Sequence, residues 1–170
     1  MSNAVMYGLY VTAANIVLTL IMYFTGLWKS APAIGYIAFI FLIIAIVMAI
    51  KDRRDNENGG EIRFGQAFST GFTVVLITAI LGAIFFFVYT QYINTEFEPY
   101  MAEQMEIGMA EQKANMSEAE FEQAKSMAGM MSSPAMMAIS QILMSLILGS
   151  IVSAICAAIL KRDPRPQVMS

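Results

Sequence analysis

SAPAIGYIAFIFLIIAIVMAIKDRRDNENGGEIRFGQAFSTG, residues 30–71, holds the contrast that decides the fold. Ser30–Ile50 carries no charged side chain over 21 residues, then eight charges fall within the thirteen residues 51–63. A Gly59-Gly60 pair follows the first charges, and from Phe64 the chain is uncharged again as far as Thr95. Two further runs behave alike, Met1–Trp28 and Ser126–Leu160. Each of the four exceeds the roughly 18 to 20 apolar residues that a helix needs to cross about 30 Å of hydrocarbon. Backbone polar groups in lipid must bond within their own segment, so each run reads as a helix.

Composition agrees. The 170-residue chain is 58% hydrophobic and 14% charged, against about 25% charged in an ordinary soluble domain. The reading is therefore all-α: an integral membrane protein with four transmembrane helices, at residues 4–28, 32–50, 65–91 and 134–160. A cytoplasmic loop occupies 51–63, an extracytoplasmic amphipathic helical hairpin occupies 94–133 between helices three and four, and 161–170 is a cytoplasmic tail. The first run is read as a span and not a cleaved signal, because no Lys or Arg precedes it and it outruns a signal core. Ala31-Pro32-Ala33 only mimics a cleavage site. The single cysteine, Cys156, excludes an intramolecular disulfide.

Charge sets the expected orientation. Lys51, Arg53, Arg54, Arg63, Lys161, Arg162 and Arg165 lie on one side of the spans, and Lys29, Lys113 and Lys125 on the other. Basic loops stay inside, which places both termini in the cytoplasm of a multi-pass inner-membrane protein. Tyr23, Phe24, Trp28, Tyr36, Tyr89 and Tyr92 then mark the outer headgroup level.

The loop glycines suit a tight turn with positive φ. Gly60–Gly65 has the spacing of a phosphate loop, but Gln66-Ala67 stands where Lys-Ser/Thr is required and no strand precedes it. The acids around Asp55 do not follow calcium-loop spacing. The loop is read as a turn with charge anchors.

Lys51, Arg54 and Asp55, then Gly59-Gly60-Glu61-Ile62-Arg63-Phe64-Gly65-Gln66-Ala67-Phe68 and Gly71, with Met116-Ser117-Glu118-Ala119-Glu120 further on, form a signature. With it the chain resembles the bacterial membrane-protein family catalogued as domain of unknown function 4199, over nearly its whole length. The resemblance implies a small inner-membrane protein and brings no catalytic residues.

In the polar segment, Phe97, Met101, Met105 and Met109 make an apolar stripe at four-residue spacing. Phe121, Ala124, Ala128 and Met131 make a second one. Capping boxes are expected at Thr95–Glu98 and Ser117–Glu120, with a break at Ala114-Asn115-Met116. Eight glutamates against Lys113 and Lys125 make this segment acidic. Phe97, Met101, Met105, Met109 and Phe121 are the candidate interaction surface, since methionine repacks against varied partners. Copper is the metal that thioethers such as Met101, Met105, Met109, Met127, Met130 and Met131 would select. With no histidine in the chain, no metal and no cofactor is assigned.

Inside the spans the candidate packing residues are Asn15, Gly71, Ser145, Gly149, Ser153 and Ala157. Gly149 belongs to a small-residue repeat that admits close helix approach, joined by Gly8, Thr12, Thr78 and Gly82 on other helices. Asn15 and Gln141 are read as cross-helix hydrogen-bond formers. Without an acid–base pair or nucleophile–base pair the chain is not expected to be an enzyme. Net charge −3 and no basic stripe leave no role in nucleic-acid binding. The expected partners are the lipid bilayer and an envelope or membrane protein, or a second copy. The expected function is a scaffold or accessory subunit that docks through its outer hairpin. The alternative is a small oligomeric transporter or channel for a neutral or hydrophobic solute.

Overall fold

The computed structural model describes residues 2–112 and 117–163. Among these the elements are helical. α1 is Asn3–Phe24, α2 the short Leu27–Ser30, α3 Tyr36–Asp52, α4 Phe64–Val88, α5 Phe97–Gln112, α6 Glu118–Met131 and α7 Pro134–Leu160. Single π-turns, Arg53–Glu57 and Tyr89–Ile93, close α3 and α4. Four helices are long and apolar enough to cross a membrane: Asn3–Phe24, Ala33–Glu57, Phe64–Ile93 and Pro134–Leu160. The protein is all-α with four such spans. The chain divides into two units, residues 1–82 with 143–170, and residues 83–142.

In the first unit α1 packs along α3, and the core is built from Ile46, Ala49, Ile50, Ala67, Val74, Val75 and Ala157, each 0–1% exposed. Size, not polarity, separates the faces of α7. Ile147, Ile151, Ile155 and Ile159 point outward at 53–74% exposure, while Gly149, Ser153 and Ala157 are buried. In water such a surface would drive association; in lipid it is solvated by acyl chains, and close backbone packing selects the small face. Threonine hydroxyls are absorbed locally. Thr12, Thr70 and Thr78 each donate to the carbonyl one turn back, at 2.7–2.9 Å.

Two boundaries depart from the sequence reading. α1 stops at Phe24 and not at 28, because Gly26 takes φ +73° and breaks the helix before Leu27. The loop 51–63 is shorter than expected, since α3 runs through Asp52 and its π-turn reaches Glu57. There Asn56 donates to Asp52 at 2.5 Å, and Arg54 pairs with Asp55 through two bonds of 2.6 and 2.8 Å. Gly59 and Gly60, at φ +64° and +94°, then turn the chain. Arg53 Nη1 donates to Thr70 Oγ1 at 2.8 Å, fixing the turn to α4. An isolated antiparallel bridge joins Ile62 and Arg162 through two 2.8 Å backbone bonds, so α4 starts beside the place where α7 ends.

The second unit contains the last turns of α4, then α5, α6 and the first turns of α7. α5 packs against α6. The expected break at Ala114-Asn115-Met116 lies outside the described residues, as does the tail beyond Asp163.

Candidate functional site

The small-residue seam and the α5–α6 pair are the two places where the expected site residues gather. In the seam, Ser153 is 0% exposed and its hydroxyl donates to the Phe68 carbonyl of α4 at 3.1 Å. A Cβ built at Gly71 would meet Ser153 Oγ and lie 3.0 Å from Ile46 Cγ2. One built at Gly149 would meet the Val75 side chain, and one at Gly8 would sit 2.8 Å from Ile77 Cβ. Gly8, Gly71 and Gly149 are therefore close-approach positions between helices. Ser145 is half-buried and Ala157 fully buried on the same helix. Asn15 differs from expectation: its Oδ1 is buried with no hydrogen-bond partner among the described residues, and so is Gln141 Oε1. The expected cross-helix bonds are not made by those atoms.

In the second unit the chain leaves α4 through a polar knot. Tyr89, Thr90 and Asn94 are 3%, 2% and 1% exposed, and Asn94 Nδ2 donates to the Tyr89 hydroxyl at 2.9 Å. Phe97 packs edge-on against Phe86, 5.5 Å between centroids, and against Tyr89 at 6.3 Å. Phe97 is thus an anchor at the start of α5. The Tyr100 N–H donates to the Glu96 carbonyl, which puts Glu96 and not Thr95 at the cap of α5.

Met101, Met105 and Met109 are half-buried along α5, as are Phe121, Ala124 and Ala128 along α6. Met131, placed by the sequence reading on the same stripe, is 47% exposed, and Ser132 at 6% takes its place. The helical advance of about 100° per residue explains it, bringing residue 132 back over 121 and carrying 131 off to the side. Met127 and Met130 join Met131 outside, at 57% and 67% exposure. The expected methionine faces therefore do not oppose each other. Among the described residues, no group of three His, Cys, Asp or Glu side chains is placed to hold a metal.

The α5–α6 seam is under-filled. Ala102, Ala128 and Gly129 leave a cavity of about 150 Å³, walled by Met105 and Met109 and flanked by the Glu106–Lys125 ion pair at 3.7 Å. Sequence reading missed this socket, though small residues on both helices were its signal. α6 is held at its start by the expected capping box: Ser117 Oγ accepts from the Glu120 N–H, and the Ser117 N–H donates to Glu120 Oε2 at 2.8 Å. The Ser117 hydroxyl, which donates to Glu120 Oε2 at 2.7 Å, and then the Ser117 N–H favour the ionised carboxylate and hold the Glu120 pKa below its ordinary 4.5. A lowered folded-state pKa adds stability above the unfolded value and loses it as pH falls through the folded one. Helix α6 in the wild type is expected to exchange its amides more slowly than in Glu120→Gln at pH 7. The difference should close as pH drops below 4.5; a pH-independent difference would show that the cap acts without charge.

One comparison places the whole arrangement. The model for "Protein of unknown function (DUF4199)" matches residues 6–162. The chain belongs to the DUF4199 family. The match covers both units described above, the charged turn and the α5–α6 pair included. No curated protein and no solved structure matches the chain. The family's function is unknown, so an activity of this DUF4199 protein must be argued from its surfaces.

Proposed function

We propose that this DUF4199 protein is an accessory or scaffold subunit of the bacterial inner membrane. In this reading its termini are cytoplasmic and α5–α6 form an extracytoplasmic hairpin that docks a basic membrane or envelope protein. The observation that carries the reading is the 150 Å³ socket between α5 and α6, walled by two methionines and small residues. Flexible thioethers adapt to an inserted apolar side chain, and such anchored insertions dominate binding energy. Glu106 at its wall, with Glu103, Glu118, Glu120 and Glu122 exposed elsewhere on the same two helices, favours a partner carrying Lys or Arg. The orientation rests on the seven-to-three distribution of Lys and Arg. The transport alternative gains less support, because the Thr12 and Thr78 hydroxyls within the spans donate to carbonyls of their own helices.

Gly129→Leu tests the docking. A Cβ there meets nothing within 4 Å, so the variant is expected to fold with an unchanged thermal midpoint while its side chain fills the socket. Native mass spectrometry of protein extracted in membrane-like particles should show a stoichiometric second protein with the wild type and none with Gly129→Leu. The same second protein on both, or homo-oligomers of both, would defeat the proposal.

A further inference from the structure

Both ends of the α5–α6 pair are pinned to membrane-spanning helices. At one end the chain doubles back after Ile93. Phe86 lies eight residues before Asn94, about 12 Å along a helix axis, yet Phe97 packs 5.5 Å from it. At the other end only Ser132 and Ser133 separate α6 from α7. Helical bonds carry across that joint: the Ser132 N–H donates to the Ala128 carbonyl at 2.9 Å and the Ser133 N–H to the Met130 carbonyl at 3.3 Å. The 27 residues of α7 cover about 40 Å, a bilayer's thickness with its headgroups, so Pro134 stands at headgroup level. Met130, four residues away, is held within about 14 Å of Pro134 even by a fully extended chain.

The end of α6 nearest the span is its apolar end. Met127, Met130 and Met131 are 57%, 67% and 47% exposed and, at about 100° per residue, share one face. That face points away from α5, which packs on the side of Lys125, Ala128 and Ser132. The same face carries Gln123 and Glu120, both exposed, one and two turns earlier. Polarity therefore changes along α6 as well as around it, and no charged side chain follows Lys125 before Lys161. Beyond the joint, Met136 and Ile139 are exposed on the first turns of α7, where its lipid-facing surface begins. An apolar end at the span and an acidic end away from it match the depth gradient of a bilayer, from acyl chain to headgroup to water. Anionic headgroups also repel the glutamates and so lift the far end.

We propose that the methionine face of α6 is an interaction surface for lipid, seated in the headgroup–acyl boundary of the bilayer with its span end deepest. The occupant is the membrane that α7 already crosses and not a second protein. This face lies on the other side of α6 from the socket, so the proposal does not rest on docking there.

Full-length protein carrying Cys156→Ala and one nitroxide at a time, attached through Met130→Cys or Gln123→Cys, tests it in membrane-like particles of phosphatidylcholine open on both faces. Both side chains are exposed, so neither substitution removes a buried contact. Relaxation of the label by oxygen, which concentrates in lipid, is compared with relaxation by a water-soluble nickel chelate. Oxygen should dominate at 130 and the chelate at 123, a reversal within two turns of one face. Dominance of the chelate at both positions would stand α6 in water and overturn the seating. Shielding of position 130 from both reagents would mean that protein covers it, and would overturn the proposal equally.

Discussion

Gly149→Leu is expected to leave no monodisperse, folded protein after extraction. The position lies on the buried face of α7, where even a single added carbon would meet the Val75 side chain, with Cγ2 at 2.8 Å. Val75 is 1% exposed and sits mid-helix in α4, so it has no free volume to move into. Overpacking a well-filled core costs about 1–3 kcal/mol when side chains can adjust. Here relief requires two helix backbones to separate, which also strips Ser153 from the Phe68 carbonyl and opens the contact at Gly71. The loss is expected at or above that range, against a total stability of about 5–15 kcal/mol. Ile151→Leu, on the lipid face of the same helix, is the matched control and should be silent. Size-exclusion profiles and thermal midpoints decide it, and a wild-type profile for Gly149→Leu would refute the close-packed seam.

Tyr89→Phe is expected to loosen the second unit while sparing the first. The change removes one oxygen, the acceptor of Asn94 Nδ2 in a place where Asn94 is 1% exposed. An amide left buried without that bond costs about 1–3 kcal/mol. The effect should be local, because Asn94 sits between the π-turn that ends α4 and the Phe97 anchor that starts α5. Hydrogen exchange should quicken over α5 and over residues 89–96, with 64–82 unchanged. Converting Asn94 to Leu in the same background should recover much of the loss, since removing both partners leaves nothing unsatisfied. Exchange that is uniform along the chain, or no change at all, would show that the pair does not hold this corner.

What could be read in advance follows from which physical quantity decides each feature. The four spans were legible because lipid excludes charge, and charge is written directly in the residue list. The family was legible because the resemblance rests chiefly on the charged turn between two spans, whose glycines and charges stand out against apolar neighbours. The small face of α7 was legible too, since close helix approach demands Gly, Ser and Ala at fixed spacing. Helix ends were harder. Gly26 breaks α1 while apolar residues continue on both sides, and hydropathy does not register a backbone angle. The misplacement of Met131 came from a last step of three residues from Ala128, where a step of four brings back Ser132. The Tyr89–Asn94 knot and the α5–α6 socket were missed for a shared reason. One depends on a polar residue folded inward at the rim of a span, the other on empty space, and neither leaves a periodic trace.

The bridge between Ile62 and Arg162 bears on timing. Its two strands of backbone are a hundred positions apart, so the start of α4 and the end of α7 cannot be fastened together until the last helix has emerged from the ribosome. Until then the N–H and carbonyl of Ile62 lack this bridge, and Val75 and the Phe68 carbonyl of α4 lack their partners on α7, although α1 and α3 already meet each other and α4. Closure of the first unit at this end therefore waits for the final span. A nascent chain arrested before residue 162 should stay open to proteases at residues 58–63 and become resistant only on completion.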